Sequence, residues 1–134
     1  MGMTIETRAE SGLLHVVATG EFSLEEAKRT FLEMLEAARK HQVEKIFFDG
    51  RKIVGEPEIM ERFFYGKFAA QSVKKFADRG TQFAYVLLEP VLDPERFGEK
   101  VARNRGMFVK TFDNVEEVMA WLETASGKTD IGAG

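Results

Sequence analysis

The sequence predicts an α/β fold: elements in the order β-β-α-β-α-β-α-β-α, with a single mixed, mainly parallel five-stranded sheet and four helices. Three observations predict it. Apolar residues make up 44% of the 134 positions and charged residues 31%, the profile of a packed domain rather than a disordered chain. The runs Lys45-Ile46-Phe47-Phe48-Asp49 and Phe83 to Leu88 (FAYVLL) are nearly or wholly apolar, as strands covered on both faces are. The segments between them repeat their apolar residues at helical spacing, and strands alternating with helices imply parallel neighbours and right-handed crossovers.

Ile5 to Arg8 and Leu13 to Thr19 alternate as strands, with Glu10-Ser11-Gly12 as their turn. Ser23 is an N-cap, and Glu26 three residues on completes a capping box. From there to about Lys40, the residues Leu24, Ala27, Phe31, Met34, Leu35 and Ala38 share one arc of about 100°. A strand over Lys45 to Asp49 is expected to stop at Gly50. Pro57 suits a first helical position and opens a second helix to about Asp78. Asp93-Pro94, cap then first residue, opens a third helix that ends at Gly106. Phe108 to Phe112 is the last strand. Asn114 with Glu117 caps a final helix whose face is Val115, Val118, Met119 and Leu122. One domain over 1–125 is expected, followed by a small, polar C-terminal tail over 126–134.

Composition narrows the function. A net charge of −3 speaks against binding driven by phosphate neutralisation, so no nucleic-acid partner is expected. With no cysteine and two histidines, thiolate and multi-histidine metal sites are excluded, and no metal or cofactor is expected. No basic start leads into an apolar run and no stretch reaches membrane-spanning length, so a cytoplasmic location is expected. Gly127-Lys128-Thr129 resembles the end of a phosphate loop, but Leu122 stands where that motif needs glycine.

The second helix departs from the pattern of the others. With Met60 at 0°, the residues Ile59, Phe63, Tyr65, Ala69, Ala70, Val73, Phe76 and Ala77 fill an arc from about 140° to 300°, wide enough for a core face. Met60, Phe64 and Phe68 lie outside it, at about 0°, 40° and 80°. Lys67, Lys74 and Lys75 border this second stripe. It is either covered by the rest of the chain or an apolar ridge that meets a second subunit, a lipid or a membrane surface. A kink at Gly66 would turn half of it into the core. Arg103 and Arg105 at the end of the third helix complement its dipole, with Gly106 as the left-handed cap. Their alternative role is an anion clamp.

The chain resembles the SpoIIAA-like STAS superfamily, most of all its small bacterial STAS/SEC14-like branch, from about Leu14 to Leu122. The resemblance rests on Ala18-Thr19-Gly20-Glu21-Phe22-Ser23, on Ile46-Phe47-Phe48-Asp49-Gly50-Arg51, and on the run from Arg96-Phe97-Gly98-Glu99 through Arg103-Asn104-Arg105-Gly106. Val109-Lys110-Thr111-Phe112 and Ala120-Trp121-Leu122 complete it. It implies a βα superhelical fold shared by sporulation regulators and CRAL-TRIO lipid-transfer domains. Those regulators bind partner proteins and switch on a phosphorylated serine at the start of the helix after the middle strand. Here that stretch reads Ile53-Val54-Gly55-Glu56-Pro57-Glu58, without Ser or Thr.

Three functions follow as expectations. The first is a non-enzymatic binding module for an apolar or lipid-like small molecule or a membrane surface, using Met60, Phe64, Phe68, Lys67, Arg103 and Arg105, with peripheral membrane association. The second is a protein-interaction or regulatory module, homodimers included, meeting its partner on the same ridge. The third is an enzyme built on Asp49, Arg51, Glu56 and His15. No catalytic constellation is recognised among these four, and no enzyme activity is expected.

Overall fold

In the computed structural model, which describes residues 2–78 and 80–124, the elements follow the expected order. They are β1 (Thr4–Glu10), β2 (Leu13–Glu21), α1 (Leu24–His41), β3 (Lys45–Val54), α2 (Ile59–Phe76), β4 (Gln82–Val86), α3 (Phe97–Asn104), β5 (Phe108–Phe112) and α4 (Val115–Leu122). The sheet order is β1-β2-β3-β4-β5, with β1 antiparallel to β2 and every later pair parallel. The tail over 126–134 lies outside the described residues.

Alternation along the strands sends side chains to two unequal layers. Leu14, Val16, Ile46, Phe48, Phe83 and Val109 point to the larger core, which α1, α2 and α3 cover. Phe47, Ala84, Val86 and Phe112 point the other way and meet Val118 and Leu122 of α4. The central strands β3 and β4 thus feed both layers, which is why their sequences are apolar runs rather than alternations.

Local chemistry explains most boundaries. Ser11 and Gly12, at φ 54° and 77°, form the two-residue hairpin turn between β1 and β2. Ser23 Oγ accepts the Glu26 amide at 3.2 Å, the forward half of the expected box. The reciprocal half does not form, because the Glu26 carboxylate accepts the Met3 amide (3.1 Å) and the Arg29 guanidinium (2.6 Å) instead. α3 ends as expected on Gly106 at φ 96°. The Gly106 amide donates to Arg103 O and the Met107 amide to Ala102 O, the two bonds of a Schellman cap.

Several expectations are corrected. β3 does not stop at Gly50 but runs to Val54, because an extra residue is absorbed as a bulge: Val17 pairs with Asp49, and Thr19 with Lys52. A Cβ on Gly50 would lie 2.6 Å from Leu87 Cδ2, so a larger residue at this bulge would have to displace the end of that side chain. Pro57 precedes α2 instead of opening it. Glu58 is the N-cap, and its amide donates to Glu61 Oε1 at 2.9 Å. α3 starts at Phe97, not Pro94. Asp93 accepts the amides of Glu95 (3.2 Å) and Phe97 (2.9 Å), and Arg96 between them is left-handed at φ 56°, which a helix cannot include. α2 is unbroken through Gly66. Its Ile59 and Phe76, expected in the core, are 64% and 51% exposed, because they are the helix's first and last residues.

Candidate functional site

α2 has two working faces. Its inner side buries Gly66, Ala69, Ala70, Ser72 and Val73. The crossing with α3 is close: a Cβ on Gly66 would lie 2.6 Å from the Gly98 carbonyl oxygen. Its outer side leaves Met60 54% and Phe64 42% exposed. Phe68, the third member of the predicted stripe, is half-buried against the core, with Lys28 Nζ 5.4 Å from its ring centre. Lys67 is half-buried between them.

The α2–α3 contact brings one of the two predicted arginines to this face. The Arg105 guanidinium lies 5.5 Å from the Phe63 ring centre and donates to Val101 O at 3.2 Å. Phe63 in turn meets Phe64 edge-on at 5.4 Å. Arg103 instead pairs with Glu99 at 3.4 Å. The two arginines therefore serve different neighbours and do not form one clamp. The outer face reads as an apolar pair, Met60 and Phe64, with a cation over an aromatic ring on either flank. Glu56, Glu58 and Glu61 stand around its N-terminal end, and Lys74 and Lys75 at its C-terminal end.

Beneath α2 lies a feature that sequence reasoning missed. A cavity of about 130 Å³ opens between α2, α3 and the sheet, its walls mostly apolar: Phe22, Phe48, Ile53, Ala69, Leu87 and Met107 among them. That is close to the size of apolar cavities that stay dry and admit benzene, ~150 Å³. The polar groups at its edge are engaged with each other. Tyr65 and Tyr85 share a hydroxyl–hydroxyl bond of 2.8 Å, and burial pushes both phenols above the ordinary tyrosine value. Arg62 donates to Val91 O (2.7 Å) and Pro90 O (2.8 Å). Arg96 donates to Thr111 O and Oγ1, and Thr111 donates to Glu99 Oε1 from its amide (2.9 Å) and hydroxyl (2.6 Å). Burial would raise the Asp93 carboxyl, but the amides of Phe97 and Glu95, with Arg62 and Lys100 nearby, hold it below the usual carboxylate value. Residues from both termini of the fold line this space, with no shared spacing in sequence. The glycines of the α2–α3 crossing, Gly66 and Gly98, are the one local signal.

Of the four enzyme candidates, His15 lies on β2, Asp49 and Arg51 on β3, and Glu56 in the loop beyond β3. Asp49 is held by Arg51, whose Nε, Nη2 and amide donate at 3.0, 2.8 and 3.1 Å. That guanidinium keeps the Asp49 carboxyl below its ordinary value. His15 stacks on Phe47 at 4.8 Å, and Arg8 Nη2 lies 3.2 Å from its Nδ1. Glu56 is exposed in the loop after β3. Among the described residues no group of three His, Asp or Glu side chains is placed to hold a metal, and no helix is long and apolar enough to cross a membrane.

No protein-family model and no curated protein matches the chain. Solved structures do. An anti-sigma factor antagonist from Mycobacterium paratuberculosis superposes with a TM-score of 0.63 at 13% identity, over 92% of this chain and 96% of that one. An uncharacterised DUF3478-family protein with a SpoIIAA-like fold, from Shewanella loihica PV-4, superposes with a TM-score of 0.53 at 14% identity, over 90% and 93%. The chain has the SpoIIAA-like fold. At these identities the likeness is one of fold.

Proposed function

We propose that the chain is a non-enzymatic interaction module that docks a protein partner on the outer face of α2. One observation carries this reading: Met60 and Phe64, one turn apart on the same face of α2, are 54% and 42% exposed. The helix follows β3, so the pair stands at the carboxyl end of a parallel sheet, where α/β folds gather their binding surfaces. That an anti-sigma factor antagonist shares the fold supports a protein as the partner. A serine phospho-switch is not part of the proposal, because residues 53–58 hold no Ser or Thr. The carboxylates of Glu56, Glu58 and Glu61 weigh against an anionic bilayer, which they would repel where Ile59 and Met60 protrude. The test is a photoreactive phenylalanine analogue at position 64, compared with the same analogue at exposed Met119 in the opposite layer. A protein adduct from position 64 and none from 119 is the expected result. Absence of any adduct at 64 would sink the reading.

A second reading is favoured by the cavity. There an apolar small molecule would bind beneath α2 rather than on its ridge, enclosed by Phe48, Leu87 and Ala69. Ala69→Leu fills that space. A rise in melting temperature with saturating benzene in the parent, and none in this variant, is expected. Equal shifts in both would place any binding elsewhere.

A further inference from the structure

Resting on the proposal that the outer face of α2 is a docking surface, we infer that one partner it fits is a second copy of this chain, packed antiparallel about a two-fold axis through Phe64. The face is self-complementary about that residue. Three positions to either side stand Glu61 and Lys67, and four positions to either side stand Met60 and Phe68. Antiparallel packing about Phe64 brings Met60 level with Phe68 of the second copy and Glu61 level with Lys67 of the second copy, twice by symmetry. Parallel packing sets Glu61 against Glu61 and Lys67 against Lys67. The polarity continues outward, with Glu56 and Glu58 on one side and Lys74 and Lys75 on the other. The groups are available. Phe64 is exposed, Phe68 is half-buried beside Lys28, Glu61 spends one oxygen on the Glu58 amide, and Lys67 has no ion pair among the described residues. An isologous interface needs one patch that complements itself, and this is such a patch.

The experiment is sedimentation velocity on the full chain from about 1 to 500 µM, with cysteine cross-linking beside it. Concentration-dependent dimerisation is expected, abolished by Phe64→Glu, whose unchanged circular dichroism would show that the fold persists. Glu61→Lys or Lys67→Glu alone should weaken the dimer about tenfold, and the two together should restore it to within about threefold of the parent. The chain has no cysteine, so Phe64→Cys introduces a single thiol. Helix axes ~8–10 Å apart leave the two Cα atoms at the axis about 5 Å apart, within disulfide reach. Oxidation should therefore link Phe64→Cys chains to each other but not Gln71→Cys chains. A monomer over the whole range, or a dimer indifferent to Phe64→Glu, overturns the inference. A restored dimer that never cross-links at position 64 overturns the axis. A monomer whose position 64 still photocross-links a different protein overturns the second copy and leaves the docking reading standing.

Discussion

Gly66 carries the approach of α2 to α3, and the atom facing it is a backbone oxygen that no rotamer change can move. Gly66→Ala is expected to cost about 1–3 kcal/mol, the usual range for overpacking, and Gly66→Val more. The urea midpoint reads it, and an unchanged midpoint for Gly66→Ala would show that the crossing relaxes freely. Asp49 offers a prediction about pH. Its carboxylate is mostly buried, 14% exposed, and Arg51 holds its pKa below the ordinary 3.8. The folded state thus favours the charged form. The stabilisation is present in full above the unfolded value and fades as pH falls through the lower folded value. Arg51 is 44% exposed, so solvent screening limits the pair. Asp49→Asn should cost about 1 kcal/mol at pH 7. The gap between parent and variant should close in strong acid, where both carry a neutral side chain. Denaturant melts at the two pH values measure it, and a gap that persists in acid would assign the effect to packing.

Elements differ in how far their sequences spoke for them. α1 was the most legible helix, because one-sided burial imposes a single arc: Ala27, Phe31, Met34, Leu35 and Ala38 are buried as expected, while Leu24 at its start is half-buried. Asn114 caps α4 as expected, accepting the Glu117 amide at 2.9 Å, and Asn114→Ala should lose about 1 kcal/mol. α3 was misplaced by three residues because Asp93 caps the amides of Glu95 and Phe97 across a turn instead of opening a helix at Pro94. β3 was cut short because glycine in a strand signals either an end or a bulge, and only the continued pairing with β2, distant in sequence, distinguishes them. In α2 the spacing identified a surplus stripe without saying how much of it was covered. Coverage is tertiary: Lys28 from α1 and the core take Phe68, while Met60 and Phe64 stay out. The energetic consequence separates surface from core. Phe64→Ser should shift stability by less than about 0.5 kcal/mol. Phe31→Ala, at a residue only 1% exposed, should cost about 3–5 kcal/mol. A large loss from Phe64→Ser would mean that the ridge is structural.

At the scale of the molecule, the mixed, mainly parallel character of the sheet followed from the alternation of elements, whereas its strand order and the cavity did not, since the cavity walls come from segments between Met3 and Thr111 that only the completed fold assembles. The same assembly sets how the chain unfolds. β3 and β4 give alternate residues to the two layers, Ile46, Phe48, Phe83 and Tyr85 to one and Phe47, Ala84 and Val86 to the other. Detaching α4 would bare Phe47, Val86 and Phe112, each worth roughly 1.5–3 kcal/mol of burial. That sum approaches the ~5–15 kcal/mol that holds a whole domain together, so the layer has little room to open alone. Trp121, the single tryptophan, meets Phe108 at 5.2 Å and Phe112 at 5.9 Å and so reports on the α4 layer. Far-UV circular dichroism is dominated by α1 and α2, 18 residues each. Tryptophan fluorescence and circular dichroism should therefore give superimposable urea transitions, and Val118→Ala should move both midpoints together. If the fluorescence transition came first, the α4 layer would be a separate cooperative unit resting on a sheet that the opposite layer alone keeps folded.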